Sequence, residues 1–402
     1  MSTISQRGIA NLHSHAFQRA MAGLAERRLH PTDSFWTWRE TMYHMASRFT
    51  PEDLHAVASQ LYVEMLRAGY TTVCEFHYVH HRPDGRPYAN SLAMSEALLQ
   101  AAQDTGIRLT LLPVLYMTAG MDGAPLSERQ RRFGHTTESY LRDWFALQGR
   151  GAQLGCAFHS LRAVPANAMR DIYEALPATA PLHIHIAEQA AEVDSAMQHL
   201  GARPVRWLLD QMPVDSRWTL VHATHLDEGE IRDLAASRAT VAICPTTEAN
   251  LGDGIFAAAE YFEQGGRWGI GSDSHISVSP IEELRWLEYA QRLTKQRRTV
   301  LCSDAEPRNA QLLLQGVAES AATATGYTEH ELAADTVELD GDSAILTGAT
   351  AQDLAQRWVF SGNANIVRHV TVNGTRVIEE GRHLRGEPIL AAYRQVMQRL
   401  LA

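Results

Sequence analysis

Asn11-Leu12-His13-Ser14-His15 follows the short apolar run Gly8-Ile9-Ala10 and reads as the end of a β-strand. Residues two apart on a strand face the same side. His13 and His15 are therefore expected to project side by side, and neutral imidazole is the commonest metal ligand. In a chain with 19 histidines one His-x-His pair is a weak signal. Its weight comes from what ends the other strands.

Working outward, short apolar or β-branched runs recur: Thr71 to Phe76, Ile107 to Leu115, Leu154 to Phe158, Leu182 to Ile186, Trp218 to Val221, Thr240 to Cys244 and Arg267 to Gly271. Helical segments alternate with them. Thr50 is an N-cap before Pro51, Glu52 and Asp53, and Gly69 ends that helix. Further helices are expected over 89–105, 137–147, 165–176, 189–200, 227–237, 255–264, 280–297 and 307–325. Residues 16–29 read as loop or short helix, another helix begins near Trp36-Thr37-Trp38-Arg39, and Pro245 to Gly254 reads as a long polar loop. Eight strands in alternation with helices point to an α/β fold, a (β/α)8 TIM-type barrel, with a doubly wound open sheet as the alternative. Polar groups end the strands: His13 and His15, Glu75 and His77, Tyr116, His159, His183 and His185, His222, Asp273. A barrel gathers such ends on one face, whereas an open sheet spreads them along a line, and this favours the barrel.

From Leu332 the texture changes. Val337 to Leu339, Ala344 to Leu346, Trp358 to Phe360, Val367 to Val372 and Arg376 to Ile378 read as short strands, with Asn373-Gly374 a hairpin turn. The expected division is a barrel over 1–331 and a small C-terminal β appendage, a partial β-sandwich, over 332–402, closed by a helix over 388–401.

The 402 residues are 45% hydrophobic and 20% charged, a globular composition with material for a large core. A net charge of −10 without a basic run argues against a nucleic-acid partner, and an anionic substrate would have to be met by local arginines. No apolar run has the length of a membrane span, and the first residues lack the apolar segment of a secretory signal. Cys74, Cys156, Cys244 and Cys302 have neither disulfide nor zinc spacing, which fits reduced thiols in a cytoplasmic protein.

A catalytic zinc takes about three protein ligands from His and carboxylate and leaves a place for water, whose pKa falls toward about 7. His13, His15, the second His-x-His pair His183-Ile184-His185, and Asp273 are the candidate donors. Glu188 and His222 fit acid–base roles. Each has a plain alternative: Glu188 as a first-turn acid of the next helix, His222 or His225 as a hydrogen-bonded structural histidine, Arg39 as a surface residue, Arg162 as a helix cap. His183 reads better as core than as ligand. A second metal at His77, His80 and His81 is a weak expectation.

The runs Asn11 to Met21, Glu75 to His81, Phe158 to Arg162, His183 to Gln189 and Thr247 to Gly254 resemble the amidohydrolase superfamily, in its one-metal deaminase branch. Within that branch they are similar to the formimidoylglutamate deiminases. The resemblance implies one zinc per chain, or another divalent ion such as Fe2+, on His13, His15, His185 and Asp273. It implies His222 as general base, Glu188 facing the reacting nitrogen, and Asp273 beside the water. It implies substrate contacts from Gln18, Arg39, Tyr78, His159 and Arg162, hydrolysis of the small anionic substrate N-formimino-L-glutamate in histidine degradation, and a homodimer. It also implies an N-terminal segment that pairs with the C-terminal strands. Here the barrel is expected to start almost at Met1, which would leave the small sandwich short of strands. Two other readings stand beside this one: a one-metal deaminase of a purine, pyrimidine or triazine, and a non-catalytic metal-binding barrel.

Overall fold

The computed structural model describes residues 2–27 and 35–402, without the side chains of residues 35–37. The tail of the expected 16–29 segment and the Trp36 and Thr37 side chains lie outside that description.

In chain order the strands are β1 (Thr3–Arg7), β2 (Ile9–Ser14), β3 (Tyr70–His77), β4 (Arg108–Leu115), β5 (Gln153–Leu154), β6 (Cys156–Phe158), β7 (Leu182–Ile186), β8 (Trp218–His222), β9 (Thr240–Ile243), β10 (Arg267–Ile270), β11 (Thr336–Asp340), β12 (Val367–Val372), β13 (Thr375–Glu379) and β14 (Arg382–His383). Eight of them form a parallel sheet in the order β10-β9-β8-β7-β6-β4-β3-β2, with β5 paired to the start of β4. The two ends meet where the polar residues stand. Ser14 bridges Asp273, the Asp273 N–H donates to the His13 carbonyl at 3.0 Å, and the His15 N–H donates to the Asp273 carbonyl at 3.3 Å. The barrel therefore replaces the open-sheet alternative. Helices cover its outside, so strands such as β3 and β8 are buried along their whole length, as parallel strands must be.

The Thr50 cap is present, in a box with Asp53, and Gly69 ends that helix in the left-handed region at φ 105°. Three expectations are corrected. Pro245–Leu251 is a helix, not loop, with Pro245 in its first turn and Gly252 left-handed at its end. Leu354–Phe360 is a helix where 358–360 reads as a strand; Leu354, Ala355, Trp358 and Val359 are buried at helical spacing, a pattern a three-residue window cannot register. Ala344–Leu346 is a 3-10 turn.

The barrel also does not begin at Met1. β1 is the edge of a separate antiparallel sheet, β1-β11-β12-β13-β14, and it pairs with β11 from Thr3↔Asp340 to Arg7↔Thr336. Its polar, half-exposed residues carry no apolar alternation, so only its partner identifies it. The β12–β13 hairpin turns at Asn373-Gly374, both with positive φ (49° and 74°), as the two-residue turn requires.

Candidate active site and family

The ends of β2, β3, β7 and β8 and the turn after β10 converge on one point. The His13, His15 and His185 Nε2 atoms lie 3.1–3.2 Å from one another. Asp273 Oδ1 stands 3.3 Å from the first and 3.4 Å from the second. Two of the imidazoles have their tautomers fixed. His15 Nδ1 donates to the Phe76 carbonyl at 2.8 Å, and His185 Nδ1 donates to the His159 carbonyl at 2.9 Å. Their Nε2 atoms therefore present lone pairs, and two acceptors cannot satisfy each other. Burial, then the neighbouring imidazoles, hold His13 and His185 well below the usual histidine range. Ligands about 2.0–2.1 Å from a tetrahedral zinc lie about 3.3 Å apart. The spacing and the facing lone pairs thus suit a divalent cation. Among the described residues, the groups with metal-holding spacing all lie at this point.

The backbone is held as tightly as the side chains. Asn11 Oδ1 accepts from the N–H of Ser272 at 3.1 Å and of His13 at 3.3 Å, while Asn11 Nδ2 donates to Ser272 Oγ at 2.6 Å. Glu75 accepts from Ser14 Oγ and from the Ala16 N–H, both at 2.6 Å, and so braces the turn that carries both histidines. Burial pushes the Glu75 carboxyl up to about 7. A Cβ on Gly271 would lie 2.7 Å from His13 Cβ, so only glycine fits there. Ala187, His222, Ala223, Asp273 and His275 all have positive φ, between 43° and 69°. Such strain at non-glycine residues collects where a site over-determines its geometry.

His222 stands beside the histidine cluster. Its Nδ1 is 3.3 Å from Glu248 Oε1, and its Nε2 is 3.7 Å from both Glu188 Oε1 and Asp273 Oδ2. Burial alone would lower its pKa; Glu188, Glu248 and Asp273 outweigh that and push it up to about 10. Burial, opposed by His222 and aided by Asp273, pushes Glu188 up to about 7.

A cavity of about 210 Å³ opens over this point. Gln18, Arg39, Tyr78, His159 and Arg162 all line it, together with Glu188, His222 and Asp273. Gln18 Nε2 donates to the Tyr78 hydroxyl at 3.0 Å, and its buried Oε1 has no partner in the protein. The Arg39 guanidinium lies 5.5 Å over the Tyr43 ring. Burial lowers its pKa, Tyr43 opposes this, and Arg162 adds repulsion. The two guanidiniums thus share one cavity closely enough to feel each other's charge.

Other sequence candidates fall elsewhere. His183 Nε2 donates to the Ala324 carbonyl at 2.8 Å, a core role. His225 Nε2 donates to the Asp253 carbonyl at 2.9 Å. His77, His80 and His81 cluster with His135 away from the cavity, and among the described residues none belongs to a group with metal-holding spacing. Glu192 and Glu248 received no role from sequence. Glu248 lies in the Pro245–Leu251 helix, a segment that reads as loop from sequence. Glu192 accepts from the N–H groups of Ala187 and Glu188 at 3.1 and 2.9 Å. Its place four residues after Glu188, on the first turn of a helix, was the available signal.

Residues 8–377 match the model of the amidohydrolase family. The chain belongs to the amidohydrolase family. It is 50% identical to the formimidoylglutamate deiminase of Pseudomonas aeruginosa, over 98% of this chain and 89% of that protein. A 5-methylthioadenosine/S-adenosylhomocysteine deaminase of Natronomonas pharaonis is 26% identical over 93% of this chain and 81% of its own length. Among solved structures, an amidohydrolase from Brucella melitensis superposes with a TM-score of 0.95 at 44% identity, covering 99% of this chain and 90% of that one. An atrazine chlorohydrolase from Arthrobacter aurescens, complexed with zinc, gives a TM-score of 0.83 at 21% identity over 98% and 88% of the two chains, a likeness of fold. The family and its deiminase relative make this amidohydrolase an enzyme that hydrolyses carbon–nitrogen bonds.

Proposed function

We propose that the chain converts N-formimino-L-glutamate and water to N-formyl-L-glutamate and ammonia, as a step of histidine breakdown. The observation that carries this is the pairing of two features in one cavity: three facing imidazole nitrogens with Asp273 at its floor, and Arg39 with Arg162 in its wall. His13, His15, His185 and Asp273 would hold the ion, expected to be zinc with Fe2+ as the alternative. When bound, it supplies a water acidic enough to react at neutral pH and a positive charge at the reacting carbon.

The residues do the rest. Arg39 and Arg162 suit the two carboxylates of the substrate through forked, charge-assisted hydrogen bonds. Gln18, Tyr78 and His159 fix its body. Glu188 faces the formimino nitrogen as a hydrogen-bond acceptor for the cationic group, and that cation makes its carbon more open to attack. His222 and Asp273 take the proton of the incoming oxygen. The Asp273 carboxylate is one of three that raise His222. Once Asp273 serves as a ligand its hold weakens, and the imidazole falls toward the range in which it exchanges protons. The proton taken up by His222 or Asp273 then goes to the departing nitrogen, and Glu188, near 7 and beside His222, is placed to receive it and hand it on. The carbon–nitrogen bond breaks, ammonia leaves, and the formyl oxygen stays.

Purine, pyrimidine and triazine rings carry no carboxylate to meet Arg39 and Arg162, and S-adenosylhomocysteine brings only one, where formiminoglutamate brings two. The four free cysteines support a reducing, cytoplasmic setting, and a homodimer is part of the same proposal. The test is ammonia release from formiminoglutamate, run beside guanine, cytosine and methylthioadenosine, with metal analysis of the same sample. Turnover of a ring substrate with none of formiminoglutamate overturns the reading. One bound metal with no turnover of any of them favours a non-catalytic barrel.

A further inference from the structure

Arg162 donates only to neutral oxygens, the Tyr116 hydroxyl at 2.8 Å and the Ala119 carbonyl at 3.1 Å, and forms no ion pair among the described residues. The Tyr116 oxygen has a second donor. Gln130 Oε1 accepts from the N–H and hydroxyl of Ser127 at 3.0 and 2.8 Å, which fixes the orientation of the amide. Gln130 Nε2 then donates to Tyr116 at 2.9 Å. A phenol oxygen has two lone pairs and one hydrogen. With both lone pairs taken by N–H groups that cannot accept, the Tyr116 proton has to leave in another direction. Tyr116 ends β4 and lines the cavity between Arg162 and His159, whose ring stands edge-on at 4.4 Å. The other phenol there is Tyr43, on the same wall, whose hydroxyl is within hydrogen-bonding reach of Tyr116 and is the partner open to the Tyr116 proton in the free protein.

We propose that Tyr116 is a specificity-determining residue of this site, donating its hydroxyl proton to the substrate carboxylate that Arg162 holds. The inference rests on the proposed reading of the substrate as a dicarboxylate. Arg162 supplies charge, and the Tyr116 hydroxyl, fixed by Arg162 and Gln130, supplies position. A carboxylate oxygen reaching Arg162 from the cavity takes this O–H in place of the Tyr43 hydroxyl, a charge-assisted bond in place of a neutral one. A neutral group in its place leaves the guanidinium without a counter-charge and forfeits the charge-assisted bond from the hydroxyl, and so is rejected.

The experiment compares Tyr116→Phe with wild type for turnover of formiminoglutamate and, independently of catalysis, for calorimetric binding of glutarate. The expected result is a KM raised about tenfold to hundredfold, kcat within a few-fold, glutarate binding weakened to match, and metal content unchanged. Two analogues sharpen it: 4-(formiminoamino)butanoate lacks one carboxylate and 2-(formiminoamino)butanoate lacks the other. The Tyr116→Phe penalty should collapse on one analogue and persist on the other; equal penalties on both overturn the proposal. A role confined to holding Arg162 is excluded by placing Tyr116→Phe in an Arg162→Ala background, where a further several-fold weakening of glutarate is expected and no further loss overturns it. A loss in Tyr43→Phe with none in Tyr116→Phe puts the donor on Tyr43 and also overturns it. If Tyr116→Phe misfolds, pairing it with Gln130→Met removes the orphaned amide donor, and the same comparisons apply. A wild type that binds glutarate but leaves formiminoglutamate intact refutes the proposed reaction, and the binding arms still decide the role of Tyr116.

Discussion

Lone pairs pressed to 3.2 Å repel, and nothing in the side chains of His15 and His185 relieves this, because each has given its only hydrogen to a main-chain carbonyl. Removing one imidazole should abolish the site rather than weaken it. His13→Ala is expected to take metal content from about one per chain to near zero, as measured by elemental analysis; a fully loaded variant would contradict the proposed ligand set. The arginines separate binding from metal. Arg162→Ala should raise KM for formiminoglutamate by roughly a hundredfold with metal content unchanged, since a charge-assisted pair is lost at the cavity wall. Unchanged kinetics would remove Arg162 from the pocket. The three clustered histidines were legible in the sequence because strand periodicity dictates where His13, His15 and His185 point. Glu75, Gln130 and Glu192 were not. Their partners are the Ala16 N–H, the Tyr116 hydroxyl and the Ala187 N–H, and contacts of that kind follow from tertiary packing, which no local pattern encodes.

Among the elements, the histidines at the end of β3 and in the connection after β4 titrate in a way that shows in solution. His77 and His135 are each held down to about 3, first by burial and then by neighbouring cationic groups. An unfolded histidine titrates near 6.5. Below that pH the unfolded chain binds protons that the folded chain refuses, so stability falls as pH drops from about 6.5 toward 3. At pH 5 each of the two costs about 2 kcal/mol relative to pH 7. Urea midpoints at pH 7 and pH 5 should therefore differ less in His135→Asn than in wild type, whatever the substitution does at pH 7. An unchanged difference would mean that His135 is protonated in the fold. This cluster reads from sequence as a loose group of histidines, and burial decides its chemistry. The helices divide by the same criterion. The segment opened by Thr50 was legible because its caps are local, and Leu354–Phe360 was not, because its helical stripe spans too few residues to stand out.

At the scale of the molecule, one carboxylate ties the barrel to the small sheet. Asp335, fully buried, meets Arg108 of β4 at 2.8 and 3.1 Å, accepts from the Asn373 N–H of the β12–β13 turn at 2.8 Å, and takes the Gly8 N–H on its carbonyl at 3.0 Å. It thus joins a barrel strand, the hairpin and the segment between β1 and β2. A buried pair gives little net stability against a well-packed apolar substitute, but losing one partner strands the other charge. Asp335→Ala should therefore cost about 3–5 kcal/mol by leaving the largely buried Arg108 guanidinium without its counter-ion. Arg108→Met with Asp335→Leu should recover most of that loss, because neither charge is then buried alone. Urea unfolding of the two variants beside wild type checks both expectations. Because the catalytic ends of the strands lie at the opposite mouth of the barrel from this tie, kcat per bound metal should stay near wild type in the doubly substituted protein. A doubly substituted protein as unstable as Asp335→Ala would show that packing of the two sheets, and not the isolated charge, sets the cost.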